Sequence, residues 1–224
     1  LGTKPAKVSK PVKKKPAIDN LGRPTAKWNY LDTKGRLIAC VYRYETDNGK
    51  EFRPYDVRIK KYQAPNPRPL YNQPGIAASG EVILVEGEKC ADALIENGVV
   101  ATTAMNGANA PIDKTDWAPL NNKHVLIWPD NDEAGNKYAL LAAEVITGAG
   151  AASVTVMHIP LDKPDNCDCF DAVEDVLDLN QFISCTQKTV IPSKPSITSF
   201  SVCHLPPAAS PIPADFIATQ MTNT

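Results

Sequence analysis

Two short apolar runs, each stopping against an acidic turn, constrain this chain more than any other feature. "VILVEGEK" occupies residues 82–89 and "VLIWPDNDEAG" residues 125–135. An unbroken apolar run of this length marks a strand covered on both faces, and the residues after each turn have the apolar spacing of a helix. "EKCADALIENG" predicts a helix with Cys90, Ala91, Leu94 and Ile95 inward and Gly98 as its cap. "DEAGNKYALLAAEVITG" predicts a second, with Tyr138, Leu141, Ala142, Val145 and Ile146 on one face. "VVATTA" and "SVTVMHIP" read as further strands and "FDAVEDVLDL" as a short closing helix. The order β-α-β-loop-β-α-β-α requires an α/β fold with a parallel four-stranded sheet and helices on both faces. In such a sheet a ligand binds beyond the carboxyl ends of the strands.

The residues before this region follow another rule. Residues 1–26 open with "LGTKPAKVSKPVKKKP", too rich in Lys and Pro to bury a core, and read as a disordered basic arm. The first residue is Leu1 rather than Met, which suggests a piece of something longer. Residues 27–79 hold short alternating runs around the turn sequences "TKGR" and "DNGK", the pattern of a small antiparallel β unit, and then a proline-rich bridge. Its strands interleave aromatic and basic side chains: Tyr42, Arg43, Tyr44, Arg53, Arg58, Lys60 and Lys61, with Phe52, Tyr55 and Tyr62 among them. Aromatic rings stack on bases and cations neutralise phosphates, so these seven residues are candidates for nucleic-acid binding. A half-buried sheet with a basic solvent face fits the same pattern equally well. The α/β region covers 80–185, and 186–224 reads as a Pro/Ser/Thr-rich tail or linker.

Charge divides the chain in the same place. Through residue 70 there are 17 Lys and Arg against 6 Asp and Glu; the remainder holds 7 against 19. A basic front suits a polyanion and an acidic back suits cations. No apolar run approaches the roughly 18 residues of a membrane span and no signal-peptide core opens the chain, so the cytoplasm is the expected location. The six cysteines contain no CxxC pair, which argues against a zinc ribbon and a disulfide framework.

The acids of the back half fall where a site belongs. Glu86 follows the first strand of the sheet, Asp130 and Asp132 the third, and Asp168 and Asp171 come shortly after the fourth. Each has a plainer reading: an exposed acid in a turn, a helix cap, a helix-start cluster. Carboxylates gathered at one edge repel unless a cation sits among them, and Mg²⁺ or Mn²⁺ suits oxygen ligands that also leave room for phosphate.

"LVEGEKCADAL", followed by "LIWPDNDEAG" and "CDCFDAV", resembles the Toprim domain shared by DnaG-type primases, topoisomerases and OLD-type nucleases. The wording, with "RPLYN" upstream, looks most like the primases and primase-helicases of phages, prophages and plasmids. The resemblance covers about residues 80–180 and implies a Toprim-like, Rossmann-like fold. By it, Glu86 matches a general acid/base, and Asp130 and Asp132 match a metal-binding DxD. Glu86, Asp130, Asp132 and Asp168 would hold the metal, and Lys89 and Lys137 would steady phosphates. It implies a DNA primase-type nucleotidyltransferase that makes short RNA primers from rNTPs on single-stranded DNA, with a replicative helicase as a further partner. A Toprim nuclease and a noncatalytic nucleic-acid-binding or loading subunit are the alternatives.

Overall fold

In the computed structural model the described residues are 21–159, 169–170, 173, 179–186 and 188–192. All lie within the first of the chain's two units, which ends at Lys194. Asp168, Asp171, most of the basic arm and the tail beyond residue 192 lie outside the described residues.

Three strands come first: β1 (Ala26–Leu31), β2 (Leu37–Thr46) and β3 (Gly49–Asp56). They pair antiparallel in that order through the two expected turns. Alternation gives the sheet two unlike faces. Trp28, Tyr30, Ala39 and Val41 point one way and are buried with Met105. Tyr42, Tyr44, Arg53 and Tyr55 point the other way, with Tyr42 opposite Arg53 and Cys40 opposite Tyr55 across the β2/β3 ladder.

The proline-rich bridge is not a free spacer. Backbone bonds tie Arg68 to Lys114 and Asp116, and the Tyr71 amide to the Thr103 carbonyl. A short helix, α1 (Gln73–Ala78), then forms where the sequence reading places only linker. Asn72 caps it by accepting from the Gly75 amide, and Pro74 in its first turn has no amide to lose.

The second sheet contains β4 (Glu81–Leu84), β5 (Ala101–Thr102), β6 (His124–Ile127), β7 (Ser153–Met157) and β8 (Lys188–Ile191). The order is β5-β4-β6-β7-β8, and only β8 runs antiparallel. The four parallel strands are those expected. β8 is the difference: "KTVI" lies in the stretch read as tail, too short and too polar to stand out until β7 offers it an edge. Helices α2 (Glu88–Glu96) and α3 (Glu133–Gly148) cover opposite faces. Val82, Leu84, Val125, Ile127, Val154 and Val156 pack with Ala139, Ala142 and Ile146 of α3. Ile83, Val85 and Trp128 pack with Cys90, Ala91 and Leu94 of α2, and Phe182 of α4 (Leu179–Cys185) closes over Trp128. This alternation is why β4 and β6 read as unbroken apolar runs. Two expected core positions move outward, Ile95 at 36% and Leu141 at 47% exposure. Each lies at the margin of its helix's apolar arc, and the sheet reaches only Leu94 and Ala142 beside them. No described helix is long and apolar enough to cross a membrane.

Candidate active site and nucleic-acid face

The sheet order places its switch point between β4 and β6. The chain leaves β4 toward β5 on one side and later returns to β6 on the other, so the turns after these two strands diverge and open a crevice. Glu86 follows β4 and Asp130 follows β6, across the register that pairs Leu84 with Ile127. The Asp130 amide donates to Glu86 Oε1 at 3.2 Å. Asp132 is the N-cap of α3, its Oδ1 accepting from the Gly135 amide at 2.6 Å, and it is exposed. The DxD segment is therefore both a helix start and part of the carboxylate edge.

Gly135 makes this approach possible. A Cβ there would lie 2.6 Å from the Asp130 carbonyl oxygen and 2.8 Å from Glu86 Oε1. Only a residue without a side chain lets the first turn of α3 sit against both strand ends. Gly87, at φ +117°, turns the chain from Glu86 into α2, and its amide donates to Thr103 Oγ1 at 2.9 Å.

Burial holds the Glu86 carboxyl above the usual glutamate range; the Asp130 amide opposes that, and the negative charge of Asp132 adds to it. One turn past Gly135, the Tyr138 hydroxyl is buried and without a hydrogen-bond partner among the described residues. Burial, and then the charge of Glu86, raises its pKa. Among the described residues no group of three His, Cys, Asp or Glu side chains forms a metal centre. The donors present are all carboxylate oxygens, a hard set open to solvent on the Asp132 side, which suits a cation that keeps waters.

Lys89 and Lys137 are both exposed. The Lys89 ammonium stands 3.2 Å from the Phe170 ring centroid, a cation–π contact. Phe170 and the buried Cys169 pack with the α2 cluster, which anchors part of "CDCFD" beside the site.

The seven basic and aromatic candidates do not form one surface. Tyr42, Tyr44 and Arg53 share the face of the first sheet that points away from the Trp28–Tyr30 cluster. Arg43 lies on the opposite face, paired with Glu45. Arg58, Lys60 and Lys61 sit in the turn after β3. Arg53 pairs with Glu51 at 3.4 Å, and Arg58 with the buried Asp56 at 2.9 Å. On the shared face the aromatics form a continuous group: Tyr62 meets Tyr55 at 4.9 Å and Tyr42 at 6.2 Å between ring centroids, and Lys27 stands 5.7 Å over the Tyr42 ring.

Two acids that sequence reasoning passed over do important work. Glu88 is buried and accepts from Tyr30 Oη at 2.7 Å. Asp92 accepts from Trp28 Nε1 at 2.9 Å and from Tyr71 Oη at 2.8 Å. Their spacing of four on α2 was the available signal, but their donors lie 21 to 64 residues upstream.

Residues 83–170 match the Toprim-like family. The chain carries a Toprim domain. The fold of this domain with its small antiparallel sheet is that of primase catalytic cores. The Aquifex aeolicus primase, in its zinc-binding and RNA polymerase domains, superposes with a TM-score of 0.56 at 20% identity, over 72% of this chain and 40% of that one. A DNA primase domain from Pseudomonas aeruginosa gives 0.55 at 19% identity, over 73% and 51%. A DnaG primase catalytic domain bound to single-stranded DNA gives 0.51 at 19% identity, over 72% and 51%. The chain thus spans 40% to 51% of the length of these structures. No curated protein sequence matches it.

Proposed function

We propose that this Toprim protein is a primase-like nucleotidyltransferase that makes short RNA primers from rNTPs on single-stranded DNA, acting in the cytoplasm in phage, prophage or plasmid replication. The observation that carries the reading is the meeting of Glu86 and Asp130 at the switch point, locked by the Asp130 amide and by Gly135. Glu86, Asp130 and Asp132 would hold Mg²⁺ or Mn²⁺, joined by Asp168, which lies outside the described residues. Such an ion would supply Lewis-acid stabilisation of the negative charge that builds up as the phosphodiester forms and pyrophosphate leaves.

The protein's own groups divide the remaining work. Glu86 uses Oε1 to accept from Asp130, leaving Oε2 to take a proton from the attacking 3′-hydroxyl. Lys89 and Lys137 would steady phosphates from the N-terminal parts of the two helices. The Tyr42, Tyr55 and Tyr62 rings, with Lys27, Lys60 and Lys61, would stack on and neutralise the template strand. A replicative helicase would supply that strand.

The test supplies single-stranded DNA, labelled rNTPs and Mg²⁺ or Mn²⁺ to the parent and to Glu86→Gln and Asp130→Asn. Primer-length RNA that disappears in both variants supports the primase. Cutting of the template supports a Toprim nuclease, which the same carboxylates would serve. DNA binding unaffected by either change, with no product, leaves a noncatalytic loading subunit.

A further inference from the structure

Glu86 and Glu88 stand two apart in "VEGEK" and face different tasks. Glu86 meets Asp130 at the crevice, whereas Glu88 is turned into the seam between α2 and β1, where Tyr30 donates to it. One turn on, Asp92 receives Trp28 from the same strand and Tyr71 from the bridge. The Tyr30 and Tyr71 rings meet edge to face at 5.3 Å, which closes the group. Neither carboxylate has a basic partner among the described residues. Two like charges at i and i+4 in a buried seam repel, and an apolar pair would dock the sheet at lower cost. Apolar contact already exists there, through Met105 and Tyr71 against Trp28, Tyr30 and Val41. What the carboxylates add is direction: each accepts from a donor whose ring is fixed in the core, so β1 has one register on α2.

Glu88 is also the first residue of α2, joined through Gly87 to Glu86. We propose that the Tyr30–Glu88 hydrogen bond is a positioning contact that fixes the Glu86 turn, so that the N-terminal sheet sets the geometry of the carboxylate site. Glu88 then acts as an acceptor whose charge is dispensable. This rests on Glu86 as the functional carboxylate, and its test reads the turn independently of activity.

Two amides report on that turn: Gly87, bonded to Thr103 Oγ1, and Asp130, bonded to Glu86 Oε1. Their hydrogen exchange is measured by NMR in the parent, Tyr30→Phe, Glu88→Ala and Glu88→Gln, with Val156 and Ala142 as core references. Tyr30→Phe and Glu88→Ala should speed exchange at both reporters by about tenfold or more relative to the references, while Glu88→Gln, which still accepts from Tyr30, stays within about threefold of the parent. Primer synthesis measured beside it should lose kcat in the first two variants with KM for rNTP unchanged, and recover with Glu88→Gln. Unchanged reporters, uniform acceleration of every amide, or a Glu88→Gln variant that behaves like Glu88→Ala overturns the proposal. A parent that makes no primer rejects the primase reading, and the exchange data still decide this one.

Discussion

The carboxylate edge of the Toprim sheet and the basic, aromatic N-terminal sheet look alike in sequence, each with one charge type in excess, yet the fold treats them in different ways. Three of the arginines at the N-terminal sheet are neutralised locally, Arg43 by Glu45, Arg53 by Glu51 and Arg58 by Asp56. At the carboxylate edge no cationic side chain among the described residues is hydrogen-bonded or ion-paired to Glu86, and burial with the nearby charge of Asp132 raises it. Density of charge in a sequence therefore says little until the compensation is known. Among the described residues, Glu86 keeps no cationic partner at one place, and aromatic surface with lysines remains at the other.

That contrast can be broken most severely at the crevice. Glu86→Gln is expected to lower primer synthesis by about 100-fold or more, the scale of losing a positioned proton acceptor. It should not cost folding stability at neutral pH. A carboxyl raised in the folded state favours folding fully below the ordinary glutamate value, and that contribution is lost as pH rises through the folded value. Thermal unfolding across pH 4 to 8 should show the variant gaining on the parent as pH rises; a gain at the acid end instead would contradict the burial of Glu86.

Gly135→Ala comes next. Alanine is the better helix former by about 1 kcal/mol, yet its Cβ would collide with the Asp130 carbonyl and Glu86 Oε1, so activity should fall by about tenfold or more with α3 still folded by circular dichroism. On the aromatic face, Tyr42→Ala or Tyr62→Ala should weaken single-stranded DNA binding by about 5- to 150-fold, the equivalent of about 1–3 kcal/mol per stacked base. Arg58→Gln, whose charge is already spent on Asp56, should change affinity by less than about threefold. Fluorescence anisotropy at two salt concentrations separates these; an arginine effect exceeding the tyrosine effect would reverse the comparison. The smallest effect is expected from Tyr138→Phe, which removes a hydroxyl without a partner among the described residues and should leave the melting temperature unchanged or slightly higher.

The architecture was legible because β4 and β6 must be apolar on both faces, and such runs leave an unmistakable trace between glycine and acidic turns. The meeting of Glu86 and Asp130 was legible for the same reason, since residues directly after adjacent parallel strands have nowhere else to go. Long-range partnership left no such trace. Glu88 and Asp92 look like solvated helix acids until Trp28, Tyr30 and Tyr71 arrive from far upstream. The pairing of arginines was written locally, at i+2 or i−2, but alternation along a strand hid that Arg43 and Tyr42 look opposite ways. β8 and α1 were missed because each is short and takes its stability from the sheet or core it joins.

Where the strand-end carboxylates converge decides where a cation can sit, and Mn²⁺ binding followed by electron paramagnetic resonance tests that most directly. The parent should bind Mn²⁺, Glu86→Gln and Asp130→Asn should each weaken that binding by about tenfold or more, and Glu88→Gln should leave it within about threefold of the parent. Binding that survives the loss of Glu86 and Asp130, or that disappears with Glu88, would contradict the assignment of the site.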